Sequence, residues 1–373
     1  MSGPVRLAFV LPHLRPGGAE RVVVNYLRAL DRSRFQPFLF LGSREGAFLD
    51  LVPADVTVVD LGGARARTLP RRVSRELEQR RIDLAYSATD AANLALLASR
   101  WFGARNTKRI VSVHTTPSSW LAEAKHPRLR RWLMARLYPS AALVAVPTEA
   151  IAAELKQLLA RPALATAVLP NPVVDEVATG HVKPPGARLR IVAAGRLVEA
   201  KGFDLLIEAA AGIAGRSPPF DLAVYGEGPL RGALSRQAGE SVTLPGHAEA
   251  HAMFQEADLC VVPSRREGFG NVVVEAMAAG VPVLATACPG PAALIEHGRN
   301  GFLVEPGSSS ALAEAMAALL ADPQRRCAVV DAGRRTARRF EVGEATRRFE
   351  EAVERLLGKE RPGKHPDPGH GLH

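Results

Sequence analysis

The chain has 373 residues, enough for two domains of ordinary size, and its apolar content of 47% is typical of a globular protein. It carries a net charge of +10, yet aromatic residues make up only 5% and no nucleic-acid-binding motif is present, so we expect no nucleic-acid partner. No uncharged apolar run reaches eighteen residues, which argues against a transmembrane helix. The N-terminus has no signal-peptide pattern, and the three cysteines lack metal or redox spacing. We therefore expect a cytoplasmic protein with reduced thiols.

Strand and helix patterns alternate along almost the whole chain. That rhythm predicts two parallel sheets, each covered by helices on both faces. Amphipathic helices are predicted at Glu20–Leu30, Phe203–Ala214, Ser308–Leu320 and Val342–Leu357. The predicted strands are Val5–Leu11, Pro37–Leu41, Val56–Leu61, Arg109–His114, Ala142–Val146, Thr166–Leu169, Arg190–Ala194, Asp221–Tyr225, Ser241–Leu244, Leu259–Val262, Pro282–Ala285 and Gly301–Val304.

A Pro- and Gly-rich stretch, which runs from Asn171 to Gly186, is typical of a linker. It predicts an N-terminal Rossmann-like domain at 1–175 and a second one at 186–341. Two such halves create a cleft between the C-terminal ends of their strands, where ligands bind in sheets of this kind. Residues 359–373 are rich in Pro, Gly and His, and we expect them to form a disordered tail.

Glycine-containing turns follow several of the predicted strands. Gly17 and Gly18 precede an amphipathic helix, whose free N–H groups suit an anion, although a tight β–α connection has the same pattern. Arg196 and Lys201 flank the turn that opens the second half, and both are usual phosphate partners. This turn is not a Walker A loop, because residue 200 is alanine.

Gly226 and Gly228 imitate a dinucleotide fingerprint, which runs Tyr225-Gly-Glu-Gly-Pro-Leu-Arg-Gly232. The third glycine comes one residue late, and Pro229 falls in the expected first helical turn. No ribose-binding acid follows at the required distance, so an NAD site is weakly supported.

The most informative stretch is 263–283, which contains Glu267 and Glu275. A strand leads into a turn with Gly268 and Gly270, and a helix is predicted to open at Asn271. Free helix-start N–H groups suit a phosphate, and glycines allow close backbone approach. Glu275, one turn inside the helix, can accept hydrogen bonds from two adjacent hydroxyls. A phosphate seat with two hydroxyl-binding carboxylates describes a nucleotide-sugar site, whereas solvated surface acids would be the ordinary alternative.

The excess of positive over negative charge lies entirely in the first half of the chain. Residues 1–175 carry 25 Lys and Arg against 14 Asp and Glu, and residues 176–373 carry 23 against 24. One basic cluster is Arg65, Arg67, Arg71, Arg72 and Arg75. The other is Lys125, Arg128, Arg130, Arg131 and Arg136, interleaved with Leu129, Trp132, Leu133 and Leu137. The second cluster suits an anionic membrane surface, or it is a helix with one core-facing stripe and solvated arginines.

The stretch 263–283 resembles the donor-site signature of the retaining glycosyltransferase family 4, and the resemblance continues into 289–291 and 297–307. The resemblance implies an α/β GT-B fold, in which two Rossmann-like, doubly wound parallel-sheet domains face an interdomain cleft. It also implies that the last helix, within 342–358, packs back across the N-terminal half.

The resemblance implies roles for individual residues. Glu267 would position the transferred sugar, Arg196 and Lys201 would hold the donor diphosphate, and His114 would contact the sugar. These four are the predicted catalytic residues. The predicted donor-binding residues are Gly17, Gly18, Gly226, Gly228, Gly268, Phe269, Gly270, Asn271 and Glu275, with Glu275 on the nucleotide ribose.

The implied activity is retaining transfer of a hexosyl or N-acetylhexosaminyl group from a nucleoside-diphosphate sugar, with UDP-sugars favoured, to a hydroxyl. Protein cations would handle the diphosphate, so no cofactor or metal is expected, and His247 and His251 lack a third ligand. The acceptor is expected to be anionic, such as a lipid-linked or cell-surface polysaccharide intermediate, with the protein peripheral at the inner face of the cytoplasmic membrane. A GDP-mannose-dependent mannosyltransferase, a GT-B epimerase or phosphorylase, and a silent nucleotide-sugar-binding subunit remain as alternatives.

Overall fold

Two parallel sheets organise the chain. The computed structural model describes residues 3–63, 67–179, 188–239 and 241–358, apart from the side chains of residues 119, 122 and 123. Arg65, the linker residues 183–186 and the tail 359–373 lie outside these ranges. The first sheet contains β1 Val5–Leu11, β2 Phe35–Leu41, β3 Thr57–Asp60, β4 Leu84–Ser87, β5 Lys108–Ser112, β6 Leu143–Val146 and β7 Thr166–Val168. The second contains β8 Leu189–Ala194, β9 Phe220–Tyr225, β10 Val242–Gly246, β11 Leu259–Val262, β12 Val283–Thr286 and β13 Phe302–Val304.

Both sheets are doubly wound. The first has the strand order β3-β2-β1-β4-β5-β6-β7 and the second β10-β9-β8-β11-β12-β13, and neighbouring strands pair in parallel. The order reverses between β1 and β4 in the first sheet and between β8 and β11 in the second. Because loops diverge at such a reversal, each sheet has a crevice beyond the C-terminal ends of those strands. The predicted α/β class, with two Rossmann-like halves, is confirmed.

Helices cover both faces of each sheet. In the first half α1 packs on one face, together with the last helix of the chain, and α2 to α6 pack on the other. In the second half α7, α8 and α12 pack opposite α9, α10, α11 and α14. The bounds are α1 Gly18–Ala29, α2 Leu69–Gln79, α3 Asp90–Ala98, α4 Pro117–Glu123, α5 Pro127–Leu137, α6 Glu149–Leu159, α7 Phe203–Ile213, α8 Arg231–Gln237, α9 Ala250–Phe254, α10 Asn271–Ala279, α11 Pro289–Leu294, α12 Ser309–Ala321, α13 Pro323–Ala328, α14 Val330–Arg338 and α15 Val342–Leu357.

Burial on both faces explains why the strands are apolar runs. In β5, for example, Ile110 enters one core of the first half and the adjacent Val111 enters the other. The central strand β4, Leu-Ala-Tyr-Ser, was not among the predicted strands, because it contains no β-branched residue and ends in a polar one. The fingerprint-like turn also differs from the prediction, since α8 begins at Arg231, after Pro229 rather than around it. Among the described residues no helix is both long and apolar enough to cross a membrane.

The last helix, α15, belongs to the core of the first half. Its Phe349 is fully buried. The centre of its ring lies 4.4 Å from the ring centre of Tyr26 and 5.3 Å from that of Tyr86. On the same helix Glu350 accepts a hydrogen bond of 2.8 Å from Arg34, which follows α1. The chain therefore crosses from the second half back to the first. The domain limits 1–175 and 186–341 remain a prediction, since the linker lies partly outside the described residues.

Replacing Phe349 with alanine should lower the free energy of unfolding by about 3–5 kcal/mol, because it empties a site among aromatic rings. Phe102, half exposed after α3, is a matched control whose alanine variant should change it by about 1 kcal/mol or less. Urea denaturation monitored by circular dichroism measures both. Equal losses in the two variants would contradict the assignment of α15 to this core.

Candidate functional site

Three loops meet at the strand reversal of the second sheet. They follow β8, β9 and β11, and they are joined by main-chain hydrogen bonds. The N–H of Arg265 donates to the carbonyl of Ala200 at 2.9 Å, and the N–H of Leu197 donates to the carbonyl of Glu227 at 2.9 Å. These bonds fix the β8 loop between its two neighbours. Residues that lie far apart in the sequence therefore share one rigid rim of the cleft.

The glycines of the β9 loop are required by close packing against the β8 loop. A β-carbon placed on Gly226 would lie 2.0 Å from the carbonyl oxygen of Gly195, and one on Gly228 would lie 2.4 Å from that of Leu197. Gly226 also has a φ of +131°, which favours glycine. The sequence predicted these glycines to line a nucleotide pocket. Their placement beside the β8 loop puts them at that rim.

Lys201 and Glu267 form an ion pair at the centre of the rim. The Nζ atom of Lys201 donates to Oε2 of Glu267, and the two side chains are 26% and 14% exposed. The backbone of Glu267 is fixed as well, since its carbonyl accepts from the N–H of Gly290 at 3.0 Å. Arg196 is exposed on the same β8 loop. A cation and a carboxylate thus lie together in a partly buried position. Each can exchange its partner for a ligand group, the cation for an anionic group and the carboxylate for a hydrogen-bond donor.

A second ion pair, which the sequence did not predict, anchors the β11 loop. Arg265 forms two hydrogen bonds to Asp204 in the first turn of α7, at 2.7 and 2.6 Å, and these bonds lower the pKa of Asp204. A bidentate pair of this kind fixes orientation as well as distance. No spacing rule connects two residues 61 positions apart, so only the fold reveals the pair.

Phe269 differs from its predicted neighbours because its side chain is a core residue. It is 3% exposed, and its ring lies 5.3 Å from that of Phe340. A buried side chain does not reach a ligand, so the predicted donor-binding role of Phe269 would have to fall to its main chain. Gly270, with a φ of +97°, then caps the N-terminus of α10 at Asn271. The start of α10 therefore follows directly on the loop after β11, and its first N–H groups have no intrahelical acceptor.

Glu275 lies one turn inside α10 and is a strongly perturbed acid. Burial raises the pKa of its carboxyl to about 7, Arg21 on α1 opposes this rise, and Glu249 adds to it. The sequence predicted that Glu275 faces the crevice, and its interaction with Arg21 of the other half places it toward that half. Arg21 was not predicted as a site residue.

His114 lies two residues beyond the end of β5, at the edge of the first sheet that faces the cleft. Its Nε2 atom is 2.9 Å from Oγ of Ser112, and its buried Nδ1 atom has no hydrogen-bond partner among the described residues. Burial lowers the pKa of His114 to about 4, while the nearby side chain of Asn171 opposes that shift. The imidazole is therefore neutral at physiological pH and can donate or accept one hydrogen bond.

The two halves touch at the site. A β-carbon placed on Gly268 would lie 2.6 Å from the carbonyl oxygen of His114 and 2.9 Å from Cα of Thr115. A second approach joins the helix starts, where a β-carbon on Gly18 would lie 3.5 Å from Nδ2 of Asn271. The structure therefore brings the predicted residues of both halves together around one cleft.

A buried acid, Glu20, lies in the first turn of α1, next to the glycine turn, and was not among the predicted site residues. Glu20 is 9% exposed in the first turn of the helix, and burial raises its pKa. A β-carbon placed on Gly17 would lie 2.3 Å from Oε2 of Glu20, so a larger residue there would require this carboxylate to move. His13 lies 3.9 Å from Oε1 of the same side chain. The turn is thus held in shape by its own side chains.

Metal ligands do not cluster in the part of the chain that the structure describes. No group of three or more His, Cys, Asp or Glu residues there could hold an ion. His247 and His251 both have exposed side chains. Cys260 and Cys288 are buried free thiols, and Cys327 is exposed.

Replacing Glu275 with glutamine should stabilise the protein in a pH-dependent way. An unfolded glutamate titrates near pH 4.3, and the folded one near 7, so ionisation destabilises the native state increasingly between these values. We expect equal free energies of unfolding for the variant and the parent near pH 4.5. At pH 8 the variant should be more stable by about 2–4 kcal/mol.

Urea denaturation at pH 4.5, 6 and 8 measures this difference. The matched control is Glu314→Gln, at an exposed position on α12, which should change stability by less than about 0.5 kcal/mol at each pH. A glutamine variant that is less stable than the parent at pH 8 would contradict the claim that the ionised Glu275 carboxylate destabilises the native state.

Two family models match adjacent parts of the chain. The model described as Glycosyltransferase Family 4 matches residues 16–177, and the model described as Glycosyl transferases group 1 matches residues 188–322. The first match covers β2 to β7 and α1 to α6 but not β1, and the second covers all strands of the second sheet. Both cleft-facing rims lie inside the matched regions.

The chain matches curated relatives over only part of their length. A D-inositol 3-phosphate glycosyltransferase from Arthrobacter sp. is 36% identical over 154 residues, which is 38% of this chain and 37% of that protein. A GDP-mannose-dependent alpha-(1-6)-phosphatidylinositol monomannoside mannosyltransferase from Mycolicibacterium smegmatis is 35% identical over 170 residues, or 40% of this chain and 43% of that protein. The matched regions thus span less than half of these relatives.

A solved structure is similar over nearly the whole chain. The Anabaena protein Alr3699/HepE in complex with UDP-glucose has a TM-score of 0.78 and 24% identity, and the match covers 94% of this chain and 99% of that one. This likeness confirms the predicted GT-B fold. The Glycosyltransferase Family 4 and Glycosyl transferases group 1 models thus match adjacent halves of one GT-B chain, and together they support a glycosyltransferase.

Proposed function

We propose that the chain transfers a hexosyl or N-acetylhexosaminyl group from a nucleoside-diphosphate sugar to a hydroxyl acceptor, with retention of anomeric configuration. The observation that carries the proposal is the Lys201–Glu267 pair at the rim of the cleft, beside the start of α10. Arg196 and Glu275 complete a set with one group for each part of such a donor. These parts are the diphosphate, the sugar hydroxyls and the ribose hydroxyls.

The cations would act on the leaving diphosphate. Negative charge develops on the β-phosphate as the glycosidic bond breaks, and fixed cations stabilise it without having to move during the reaction. Lys201 would exchange its contact with Glu267 for the phosphate, and the exposed Arg196 would supply a planar fork. The free N–H groups of α10 would add the positive end of a helix dipole.

The two glutamates would bind hydroxyls. When Lys201 turns to the phosphate, both oxygens of Glu267 become available to the transferred sugar. Glu275 would accept hydrogen bonds from the two ribose hydroxyls, which are strongest when the carboxyl is ionised. His114, which is neutral, would contact the sugar from the first half.

Retention would follow from attack on the face that the leaving group vacates. In this scheme the bond between the anomeric carbon and the diphosphate oxygen breaks, and the bond to the acceptor oxygen forms on the same face. The acceptor proton passes to the departing diphosphate. The oxygens of Glu267 would then be engaged by hydroxyls of the sugar, so Glu267 would be a positioning group rather than a nucleophile, unlike the close carboxylate pair of a retaining glycosidase.

The donor is proposed to be a UDP-sugar. The Anabaena structure holds UDP-glucose in the same fold, which supports this choice. The Mycolicibacterium relative uses GDP-mannose according to its name, which makes a GDP-sugar the second candidate.

A ligand panel tests the donor site. Thermal unfolding of the parent and of Glu275→Ala is measured with UDP, GDP and their hexose and N-acetylhexosamine conjugates. A ligand at 100 times its dissociation constant adds about 2.7 kcal/mol to native stability. We expect UDP-sugars to raise the Tm of the parent, with the shift lost or much reduced in Glu275→Ala and kept in the control Glu314→Ala.

Other outcomes identify other functions. A response to GDP-mannose alone would replace the UDP assignment. Release of a free epimer without acceptor would indicate an epimerase, and binding without turnover of any acceptor would indicate a silent subunit. No shift with any nucleotide sugar would contradict the proposal.

We further propose that the acceptor is an anionic, membrane-presented molecule and that α5 docks on the membrane. Met134 and Leu137 face the core, whereas Leu129 and Trp132 are 55% and 61% exposed. Exposed arginines surround these two apolar side chains on the same helix, at 128, 131 and 136. Aromatic and basic side chains on one outer face suit the interface of an anionic bilayer.

Partitioning to vesicles tests this surface. Arg130 is left unchanged, because it donates to Asp90 at 2.9 Å, and burial already raises the pKa of that carboxyl to about 6. We expect the triple variant Arg128→Gln, Arg131→Gln and Trp132→Ala to lose binding to phosphatidylserine-containing vesicles in co-sedimentation. The control Arg335→Gln with Arg338→Gln, on exposed positions of α14, should bind like the parent. Equal partitioning of all three proteins would contradict membrane docking through α5.

A further inference from the structure

We propose that Arg21, on α1 of the N-terminal half, is a positioning residue of the donor site: it faces Glu275 across the cleft and keeps that carboxylate ready for a hydroxyl-bearing ligand. The inference rests on the proposed function, in which Glu275 binds the nucleotide ribose. It adds a residue of the opposite half to the nucleotide site. Donor binding by one half would then depend on a charge supplied by the other.

The helix starts bring the two residues together. A β-carbon on Gly18 would lie 3.5 Å from Nδ2 of Asn271, so the first turns of α1 and α10 meet. Arg21 lies three residues into α1 from Gly18, and Glu275 lies four residues into α10 from Asn271. Residues three and four apart share a face of a helix. Both side chains therefore lie one turn inside, on the helix faces that meet.

Phe48 holds the Arg21 side chain. The guanidinium carbon of Arg21 lies 4.5 Å above the centre of the Phe48 ring, and that ring is 7% exposed in the short 3-10 helix 47–51. A cation over an aromatic face is attracted by the ring and loses rotamer freedom. The charge is thus held beside the cleft before any ligand arrives.

Of the groups around Glu275, Arg21 is the cation that lowers the pKa of its carboxyl. Glu249, which precedes α9, raises the pKa of Glu275, and Cys260 on β11 is a buried thiol that stays protonated. Arg334 of α14 lies at the far end of α10, next to Gly280. Among the described residues Arg21 is the cation that offsets the burial of Glu275.

The consequence is a pH-dependent affinity for nucleotides. Hydrogen bonds from hydroxyls to an ionised carboxylate are roughly twice as strong as those to a neutral acceptor. Binding should therefore weaken as the pH falls through the pKa of Glu275, near 7. Without Arg21 that pKa rises, so the weakening begins at a higher pH. Without Glu249 it falls, and the weakening begins at a lower pH.

Isothermal titration calorimetry with UDP and GDP, from pH 5.5 to 8.5, tests the inference on the full chain. Arg21→Gln should move the midpoint of the affinity profile upward by about half a pH unit or more, which is about threefold weaker binding on the acid side. Arg21→Lys should restore most of the shift, and the exposed Glu249→Gln should move the midpoint in the opposite direction. Glu275→Gln should remove the protein's part of the profile.

The comparison among variants separates this role from others. Nucleotide phosphates also titrate near pH 6, but they do so identically in every titration. A uniform loss of affinity in Arg21→Gln at all pH values, with the midpoint unchanged, would show a merely structural residue and overturn the inference. Failure of the parent to bind either nucleotide would instead overturn the proposed function.

Discussion

The absence of a side chain at Gly268 sets the geometry of the whole cleft. The main chain at 114–115 lies so close to Gly268 that no β-carbon fits between the two halves. This single approach places the loop after β5 against the loop after β11. The starts of α1 and α10 then face each other, and the predicted residues of both halves converge. The crossing of α15 to the first half, with Phe349 in its core, joins the two halves a second time.

Electrostatics gives this cleft its chemical character. Each carboxylate has a cation beside it: Lys201 contacts Glu267, and Arg21 lies near Glu275. Such a pair satisfies both charges when no ligand is present. It can also bind a ligand, because a phosphate can take the place of the carboxylate beside the cation, and a hydroxyl can take the place of the cation beside the carboxylate. The neutral His114 adds a hydrogen-bonding group without adding charge. The cleft therefore matches a molecule that carries both phosphates and hydroxyls.

Much of the fold could be predicted because parallel strands buried on both faces are apolar runs, as β1 and β11 show with the predicted bounds. The strand β4 contains no β-branched residue and ends in a serine, so it lacks such a pattern. The site signature marked Glu267, Glu275 and the neighbouring glycines, since glycine and acid spacing within one loop is local. Contacts between distant residues were not predictable: Lys201 with Glu267 and Arg265 with Asp204 depend on how strands are ordered. Burial of Phe269 depends on Phe340, which the sequence places 71 residues away.

The most direct measurement is made on Gly268→Ala, whose backbone conformation alanine can adopt, so the added methyl group acts by its size alone. Small-angle scattering and UDP-sugar binding are compared with Gly212→Ala, a position on α7 with open space around it. We predict that Gly268→Ala remains folded, has a larger radius of gyration and binds UDP-sugars at least tenfold more weakly, whereas Gly212→Ala matches the parent. A compact Gly268→Ala variant with parental affinity would contradict the account of the cleft as one site built by the contact of both halves.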